Sequence, residues 1–223
     1  MMHAVAPSSA DPFPLLGNIQ KNKPFLLDLS DQTNIAPELL ADQDAMQRYV
    51  EQQYFPQYQW GIAGYLENRS LLLKKFPQMQ NERRFIHLGA DILAPLHTAL
   101  HAPVEGIVYE SAYEEGEGNY GGYVVLEHVL GDKTFFSMYG HLDTSMLPKK
   151  TQHISRGEIF ARMGDMDCNG HWFIHTHVQL LTPRAVQEGW IHRGYCTAEQ
   201  VASMDEYCPS PYPFVGYTQR GTP

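Results

Sequence analysis

The segment from Gly164 to Leu181, GDMDCNGHWFIHTHVQLL, constrains this chain more than any other, and its centre is His175-Thr176-His177. On a β-strand the side chains of residues i and i+2 point to the same face, so two imidazoles separated by one residue project together. Paired imidazoles of this kind are typical of metal sites. The pattern therefore predicts a strand that carries His175 and His177 on one face.

A second pair of candidate ligands lies upstream, in His87-Leu88-Gly89-Ala90-Asp91. His87 and Asp91 are four residues apart, a spacing that puts both side chains on one face of a strand or of a helical turn. Three ligands of this kind, two nitrogens and one oxygen, leave the fourth position of a zinc ion open. An open position indicates a catalytic zinc site rather than a structural one.

Composition excludes some classes of protein. The 223 residues, 43% of them hydrophobic, are enough to bury one substantial core. A net charge of -9, without a basic run, argues against nucleic acid as a partner. The cysteines, Cys168, Cys196 and Cys208, are odd in number and are typical of reduced thiols, although a bridge between Cys196 and Cys208 stays open for an exported protein.

The N-terminus has no basic region followed by an apolar one, and no apolar run approaches the length of about eighteen residues that spans a membrane. We therefore expect no membrane span. We expect the chain as written to be cytoplasmic, or periplasmic or secreted if a signal has been removed.

The pattern of apolar residues divides the chain into three parts. Residues 1–83 are predicted to form an N-terminal arm, extended around Phe25-Leu26-Leu27 and with an amphipathic helix from Pro37 to about Tyr54. Residues 84–185 contain short β-rich runs separated by turn residues, which indicate a mainly β, antiparallel domain with a hairpin tip near Glu114 to Asn119. Residues 186–223 are predicted to form a short helix, from Thr197 to Ser203, and a Pro-rich tail.

Several motifs between residues 84 and 182 resemble, in content and order, those of the lysostaphin-like (LytM-type) zinc metallo-endopeptidases, peptidase family M23. These motifs are His87-x-x-x-Asp91, Ala102-Pro103-x-x-Gly106-x-Val108, Gly122-Tyr123-Val124-Val125-Leu126-Glu127-His128, Tyr139-Gly140-His141-Leu142, Gly157-Glu158-x-x-Ala161-x-x-Gly164 and His175-x-His177. The resemblance implies a β domain of the LytM or duplicated-hybrid-motif type.

The same resemblance implies roles for individual residues. It makes His87, Asp91 and His177 the ligands of Zn²⁺, and it places His141 and His175 beside the metal as catalytic groups. The implied activity is hydrolysis of peptide bonds in peptidoglycan or in related short peptides. The chain contains no His-Glu-x-x-His, so it lacks the glutamate base of other zinc proteases, and imidazole is the natural substitute for moving protons at neutral pH.

Other functions remain open at this point. A peptidase or amidase that acts on cytosolic peptides would use the same residues. A non-catalytic LytM-like binding or regulatory module is disfavoured because all of the polar positions are present. A phosphocarrier-like β domain is a further alternative, since such proteins share an Ala-Pro-x-x-Gly-x-Val strand and a His-x-Gly-x-Asp, and phosphorylation would then fall on His87.

The surroundings of the site can also be predicted in part. The N-terminal arm is a candidate cover, with Asn68 as a candidate for the open zinc position. Aromatic residues are candidates for the wall of a substrate groove, although in β proteins they belong more often to the core. These are Trp172, Tyr113, Tyr120, Tyr123 and Tyr139. His128 lies in a β run, and we expect it to be packed rather than to bind metal.

Overall fold

An eight-stranded sheet is the main element of the fold in a computed structural model that describes residues 11–217. Its order is β1-β2-β4-β11-β8-β7-β6-β9, and the pairs β5–β10 and β3–β12 form two further small sheets. The strand pairs within residues 11–217 are antiparallel except β1 with β2, so the predicted mainly antiparallel β fold is confirmed. The strands are β1 Phe25–Leu27, β2 Gly61–Ala63, β3 Ile86–His87, β4 Ala90–Leu93, β5 Ala99–His101, β6 Gly106–Glu114, β7 Gly121–Leu130, β8 Lys133–Leu142, β9 His153–Ile154, β10 Ile159–Arg162, β11 Thr176–Leu181 and β12 Tyr195–Cys196.

The long strands β6, β7 and β8 form a meander. The predicted hairpin tip connects β6 to β7, so that prediction is confirmed. Strand β7 is apolar along most of its length because both of its faces are covered: Val124 and Leu126 belong to one hydrophobic cluster, and Tyr123 and Val125 to another. This burial on two sides explains why the sequence shows an apolar run here instead of alternation.

The helices are short. The single helix predicted from Pro37 to Tyr54 is wrong as one element, because the chain forms α1 (Pro37–Leu40) and α2 (Gln43–Gln53). The break falls at Asp42, whose carboxylate accepts a hydrogen bond from the backbone N–H of Ala45 (3.0 Å) and so caps α2. None of the helices in residues 11–217 has the length and hydrophobicity that crossing a membrane requires. The others are α3 Pro77–Glu82, α4 Pro183–Gln187, α5 Met204–Tyr207 and 3₁₀ turns at Gly17–Lys21, Leu72–Lys75, Thr144–Met146, Trp190–His192 and Ala198–Ser203.

The segment predicted as an N-terminal arm contributes to the main sheet. Its apolar run Phe25-Leu26-Leu27 is strand β1, which pairs with β2, and β2 pairs with β4. Side chains from this segment share one hydrophobic cluster with residues that follow it: Leu27, Met46, Leu73, Leu93, Trp172 and Phe173 are among its members. The first ten residues of the predicted arm lie outside the described residues.

Candidate metal centre

Two neighbouring strands, β4 and β11, bring the candidate ligands Asp91 and His177 together. Strand β11 runs antiparallel to β4, and in this register His177 lies directly opposite Asp91. Side chains at directly opposite positions of an antiparallel pair project from the same face. His87 reaches the same point from β3, and its ring nitrogen Nδ1 donates a hydrogen bond to the carbonyl oxygen of Gly64 (2.7 Å). All three side chains are buried.

The candidate ligand atoms fit a small divalent cation. His87 Nε2 lies 2.9 Å from His177 Nδ1, and each of these nitrogens lies 3.2 Å from Asp91 Oδ1. In a tetrahedral zinc site with ligand distances of about 2.0–2.1 Å, neighbouring ligand atoms are about 3.3 Å apart. The observed spacing is close to that value, so the three atoms are placed as the corners of one face of such a site.

The protonation of the two rings strengthens this fit. His87 Nδ1 faces a carbonyl oxygen and therefore carries the proton, which leaves a lone pair on Nε2. His177 Nε2 donates to Oε1 of Gln179 (3.0 Å), which leaves a lone pair on Nδ1. Three acceptor atoms, those of His87, His177 and Asp91, thus face one another at about hydrogen-bond distance. Such an arrangement is repulsive unless a positive charge lies between the atoms.

Arg69 holds the second oxygen of Asp91. Its guanidinium lies 2.5 Å from Asp91 Oδ2 and also contacts Glu67 and the carbonyl oxygen of Gly64, and the side chain is almost completely buried. Burial alone would raise the pKa of Asp91, but the charged guanidinium of Arg69 in direct contact with it helps to lower that pKa well below its ordinary value. Burial, with the charge of Arg69, lowers the pKa of His87 to about 3. Asp91 is thus charged and His87 neutral, as metal binding requires.

His141 and His175 stand beside the three candidate ligands. Nδ1 of His141 donates to the carbonyl oxygen of Asn169 (2.8 Å), and Nδ1 of His175 donates to that of Phe173 (2.7 Å). Their Nε2 atoms therefore keep a lone pair, and that of His175 lies 3.6 Å from Asp91 Oδ1. The two ring centroids are 4.5 Å apart. Burial lowers the pKa of both imidazoles, so they are held in the neutral form.

A local irregularity aims His141 at the site. Its φ of 65° is in the left-handed region, next to a break in the register between β7 and β8. Bulges of this type turn a side chain away from the regular alternation of a strand. Tyr139 consequently stays in the core, whereas His141 faces the site. The adjacent Gly140 makes room for the ring of Tyr120, which would lie 2.6 Å from a Cβ atom there.

Helix α2 fixes the segment that precedes His175. The backbone N–H of Phe173 donates to Oε1 of Gln43 (3.2 Å), and that of Ile174 donates to Oε1 of Gln47 (2.7 Å). None of the strands in residues 11–217 pairs with this segment, so side chains of the helix accept the hydrogen bonds that a neighbouring strand would otherwise accept. The position of His175 therefore depends on a helix far away in sequence.

One cavity contains the site. Residues from both the N-terminal part (1–83) and the C-terminal part (186–223) of the chain line it, among them Arg69 and Gly194. Arg69 lines it, whereas Asn68, the residue that the sequence suggested, does not; Asn68 forms an isolated β-bridge with Ile86. Of the five aromatic residues proposed for a wall, Trp172 and Tyr120 line the cavity. The other three do not: Tyr139 is in the core, Tyr123 is buried beside Glu110 and Tyr113 is half exposed. His128 is packed in the core, as predicted.

Sequence reasoning missed two residues that support the site. Gln179 is two positions after His177 on the same strand, so the alternation that pairs His175 with His177 could have identified it. No sequence pattern pointed to Arg69, because its contact with Asp91 joins two distant segments.

One family model matches the central segment of the chain. Residues 85–187 match the family model of peptidase family M23. No curated protein sequence matches the chain. Among solved structures, it is similar to a zinc-containing peptidase from Vibrio cholerae, with 27% identity, coverage of 44% of this chain and 28% of that chain, and a TM-score of 0.37.

Two other solved structures give similar values. For the catalytic domain of the antimicrobial peptidase lysostaphin from Staphylococcus simulans, the identity is 21%, the coverage is 44% of this chain and 68% of that chain, and the TM-score is 0.37. For Csd3 from Helicobacter pylori, the identity is 23%, the coverage is 44% of this chain and 24% of that chain, and the TM-score is 0.34. The chain thus spans about a quarter of the length of Csd3 and of the Vibrio peptidase. Likenesses at this level carry no information about activity.

Proposed function

Residues 85–187 of this chain belong to peptidase family M23, and from this premise we propose that the protein is a zinc-dependent metallo-endopeptidase. The proposed substrate is a peptide bond in peptidoglycan or in a related short peptide. One observation carries the proposal: three acceptor atoms, from His87, Asp91 and His177, face one another 2.9–3.2 Å apart in a buried site.

His87, Asp91 and His177 are the residues that would hold the ion. When bound, zinc lowers the pKa of a coordinated water to about 7 and polarises a substrate carbonyl. The protein's part is to orient the ligands. Gln179 and the carbonyl of Gly64 fix the protonation of the two imidazoles, which is the usual function of residues behind metal ligands.

His141 and His175 are the proposed proton-transfer groups. In hydrolysis the water oxygen bonds to the carbonyl carbon, the C–N bond breaks, and the proton taken from water ends on the leaving amine nitrogen. Two neutral imidazoles, each with a lone pair on Nε2, can accept this proton and return it. The glutamate that does this in other zinc proteases is not needed when imidazoles occupy the same place.

The burial of His87 argues against the phosphocarrier alternative. Its side chain has no exposed surface, and Nε2 lies 2.9 Å from His177. A phosphoryl group would need space at that nitrogen and access for a donor protein, and neither is present in this arrangement.

The test is to incubate the zinc-loaded protein with peptidoglycan and with a panel of short Gly-rich and D-Ala peptides, and to identify products by mass spectrometry. We expect cleavage that a chelator abolishes and added zinc restores. His141→Ala and His175→Ala are expected to keep zinc and to lose turnover by at least about 100-fold, the usual contribution of acid–base catalysis. His153→Ala, at an exposed position of the edge strand β9, is the matched control and should cleave normally.

Two results would contradict the proposal. If the zinc-loaded protein cleaves no peptide in the panel, the non-catalytic binding module becomes the better account. If either histidine variant cleaves at the wild-type rate, that residue is removed from the mechanism.

A further inference from the structure

Tyr120 has a hydroxyl group that the protein itself does not use. The residue lies in the β6–β7 connection, immediately before β7, and its side chain is only 6% exposed. Its ring centroid is 5.5 Å from that of His177 and 5.9 Å from that of His141. Within residues 11–217 the hydroxyl has no hydrogen-bond partner. A buried polar group without a partner lowers the stability of a protein, so its retention requires a reason.

Two glycines leave space for this side chain. A Cβ atom at Gly140 would lie 2.6 Å from the Tyr120 ring, and one at Gly194 would lie 3.0 Å from the hydroxyl oxygen. Gly194 and Tyr120 line the same cavity as His141, His175 and His177. Tyr120 therefore lines the cavity of the candidate metal centre, and its buried hydroxyl lies next to Gly194, which has no side chain to fill the space beside it.

We infer that Tyr120 is a substrate-binding residue whose hydroxyl donates a hydrogen bond to a carbonyl oxygen of the peptide held in this cavity. This inference rests on the proposed function, because it takes the occupant of the cavity to be a peptide. A phenol is protonated at neutral pH and is thus a donor, and the peptide backbone supplies acceptors at regular intervals. The hydrogen bond that is missing in the free protein is then formed only in the complex, where it contributes to binding.

The neighbouring Tyr123 provides a matched control. Its side chain is also buried, but its hydroxyl donates a hydrogen bond to the carboxylate of Glu110. Removing the hydroxyl from Tyr123 breaks a bond in the free protein, whereas removing it from Tyr120 breaks none. The two Tyr→Phe variants are therefore expected to change stability in different directions.

The experiment compares Tyr120→Phe, Tyr123→Phe and wild type in three measurements: unfolding in urea, zinc content, and kcat/KM on a peptide that the wild type cleaves. For Tyr120→Phe we expect a free energy of unfolding that is unchanged or higher, unchanged zinc, and kcat/KM lower by roughly 10-fold, the effect of one hydrogen bond. For Tyr123→Phe we expect lower stability and unchanged kcat/KM. A residue with a purely structural function would not combine retained stability with lost activity.

An unchanged kcat/KM in Tyr120→Phe would overturn the inference, and so would a loss of stability equal to that of Tyr123→Phe. If the wild type cleaves no peptide, the proposed function fails. Calorimetric binding of the same peptides to the zinc-loaded wild type and Tyr120→Phe then tests whether Tyr120 binds the peptide. Weaker binding to Tyr120→Phe than to wild type supports the inference. Equal binding, or no binding to either protein, overturns it.

Discussion

Gln179 determines which nitrogen of His177 is free to bind a metal. Its Oε1 accepts the Nε2 proton of His177 (3.0 Å), while its Nε2 donates to the carbonyl oxygen of Arg193 (3.3 Å) and contacts the sulfur of Cys208 (3.2 Å). Because the amide nitrogen faces a carbonyl, the orientation of the amide is fixed, and so is the protonation of the imidazole. One fully buried side chain thus prepares one ligand.

Gln179→Leu removes this acceptor and lets His177 carry its proton on either nitrogen. We expect zinc affinity to fall by about 10- to 100-fold, as is usual when a residue behind a ligand is lost. Competition with a chromophoric chelator measures this change, and circular dichroism checks the fold. Equal affinities for the Leu variant and the wild type would contradict this role.

Single residues also show what local sequence patterns can predict. The alternation of a strand predicts that His175 and His177 face one site, and the structure brings both rings to Asp91. The prediction that one strand carries both residues is wrong, because β11 begins at Thr176 and His175 lies just before it. The same alternation places the side chain of Gln179 on the face of the strand that carries His177. The unpartnered hydroxyl of Tyr120 has no counterpart in the sequence, because the lack of a partner depends on everything that surrounds a side chain.

At the scale of elements, helix α2 supports the segment that carries His175. Gln47→Leu removes the acceptor of the Ile174 N–H, a hydrogen bond of about 1 kcal/mol. We expect hydrogen exchange at Ile174 to accelerate by roughly 5- to 10-fold. Turnover is expected to fall, and zinc content to stay unchanged, because none of the three candidate ligands lies in that segment. Amide exchange followed by mass spectrometry or NMR measures the first effect.

Gln52→Leu is the control for this prediction, since Gln52 is an exposed position of the same helix. It makes the same chemical change without touching the segment before His175. If Ile174 exchanged equally fast in both variants, the helix would not be what holds that segment.

Local sequence patterns do not predict how separate strands pair with one another. The opposition of Asp91 to His177 depends on the register of β4 against β11, two strands whose paired residues are 86 positions apart. Register follows from the fit of whole faces, so no local pattern contains it. The break between α1 and α2 is different. Asp42, three residues before Ala45, is a typical N-cap, and this signal was present in the sequence.

At the scale of the whole molecule, a buried histidine outside the site makes stability depend on pH. His128 donates from one nitrogen to the carbonyl oxygen of Glu105 (2.7 Å), contacts Ser137 Oγ with the other (2.7 Å), and stacks on Phe135. Burial lowers its pKa from 6.5 to about 4. Between these values the unfolded chain binds a proton that the folded protein does not, so stability falls as pH decreases from about 6.5 to about 4.

The contribution of His128 to this loss is about 3 kcal/mol, from about 1.4 kcal/mol per pKa unit. The free energy of unfolding of wild type is therefore expected to decrease more steeply between pH 6.5 and pH 4 than that of His128→Gln, whose amide does not titrate. Urea unfolding at a series of pH values measures both curves. Parallel curves would show that His128 does not titrate in this range. The buried histidines of the site affect both proteins equally and cancel in the comparison.

The central claim is that His87, Asp91 and His177 converge on one zinc ion, and metal stoichiometry tests it most directly. The purified protein is stripped with a chelator, reloaded with zinc, freed of excess metal by gel filtration and analysed by mass spectrometry of the metal. The account predicts one zinc per wild-type chain, the same for the control His153→Ala, and far less for a folded His177→Ala. A wild type that retains no zinc, or a His177→Ala variant that retains a full equivalent, would contradict it.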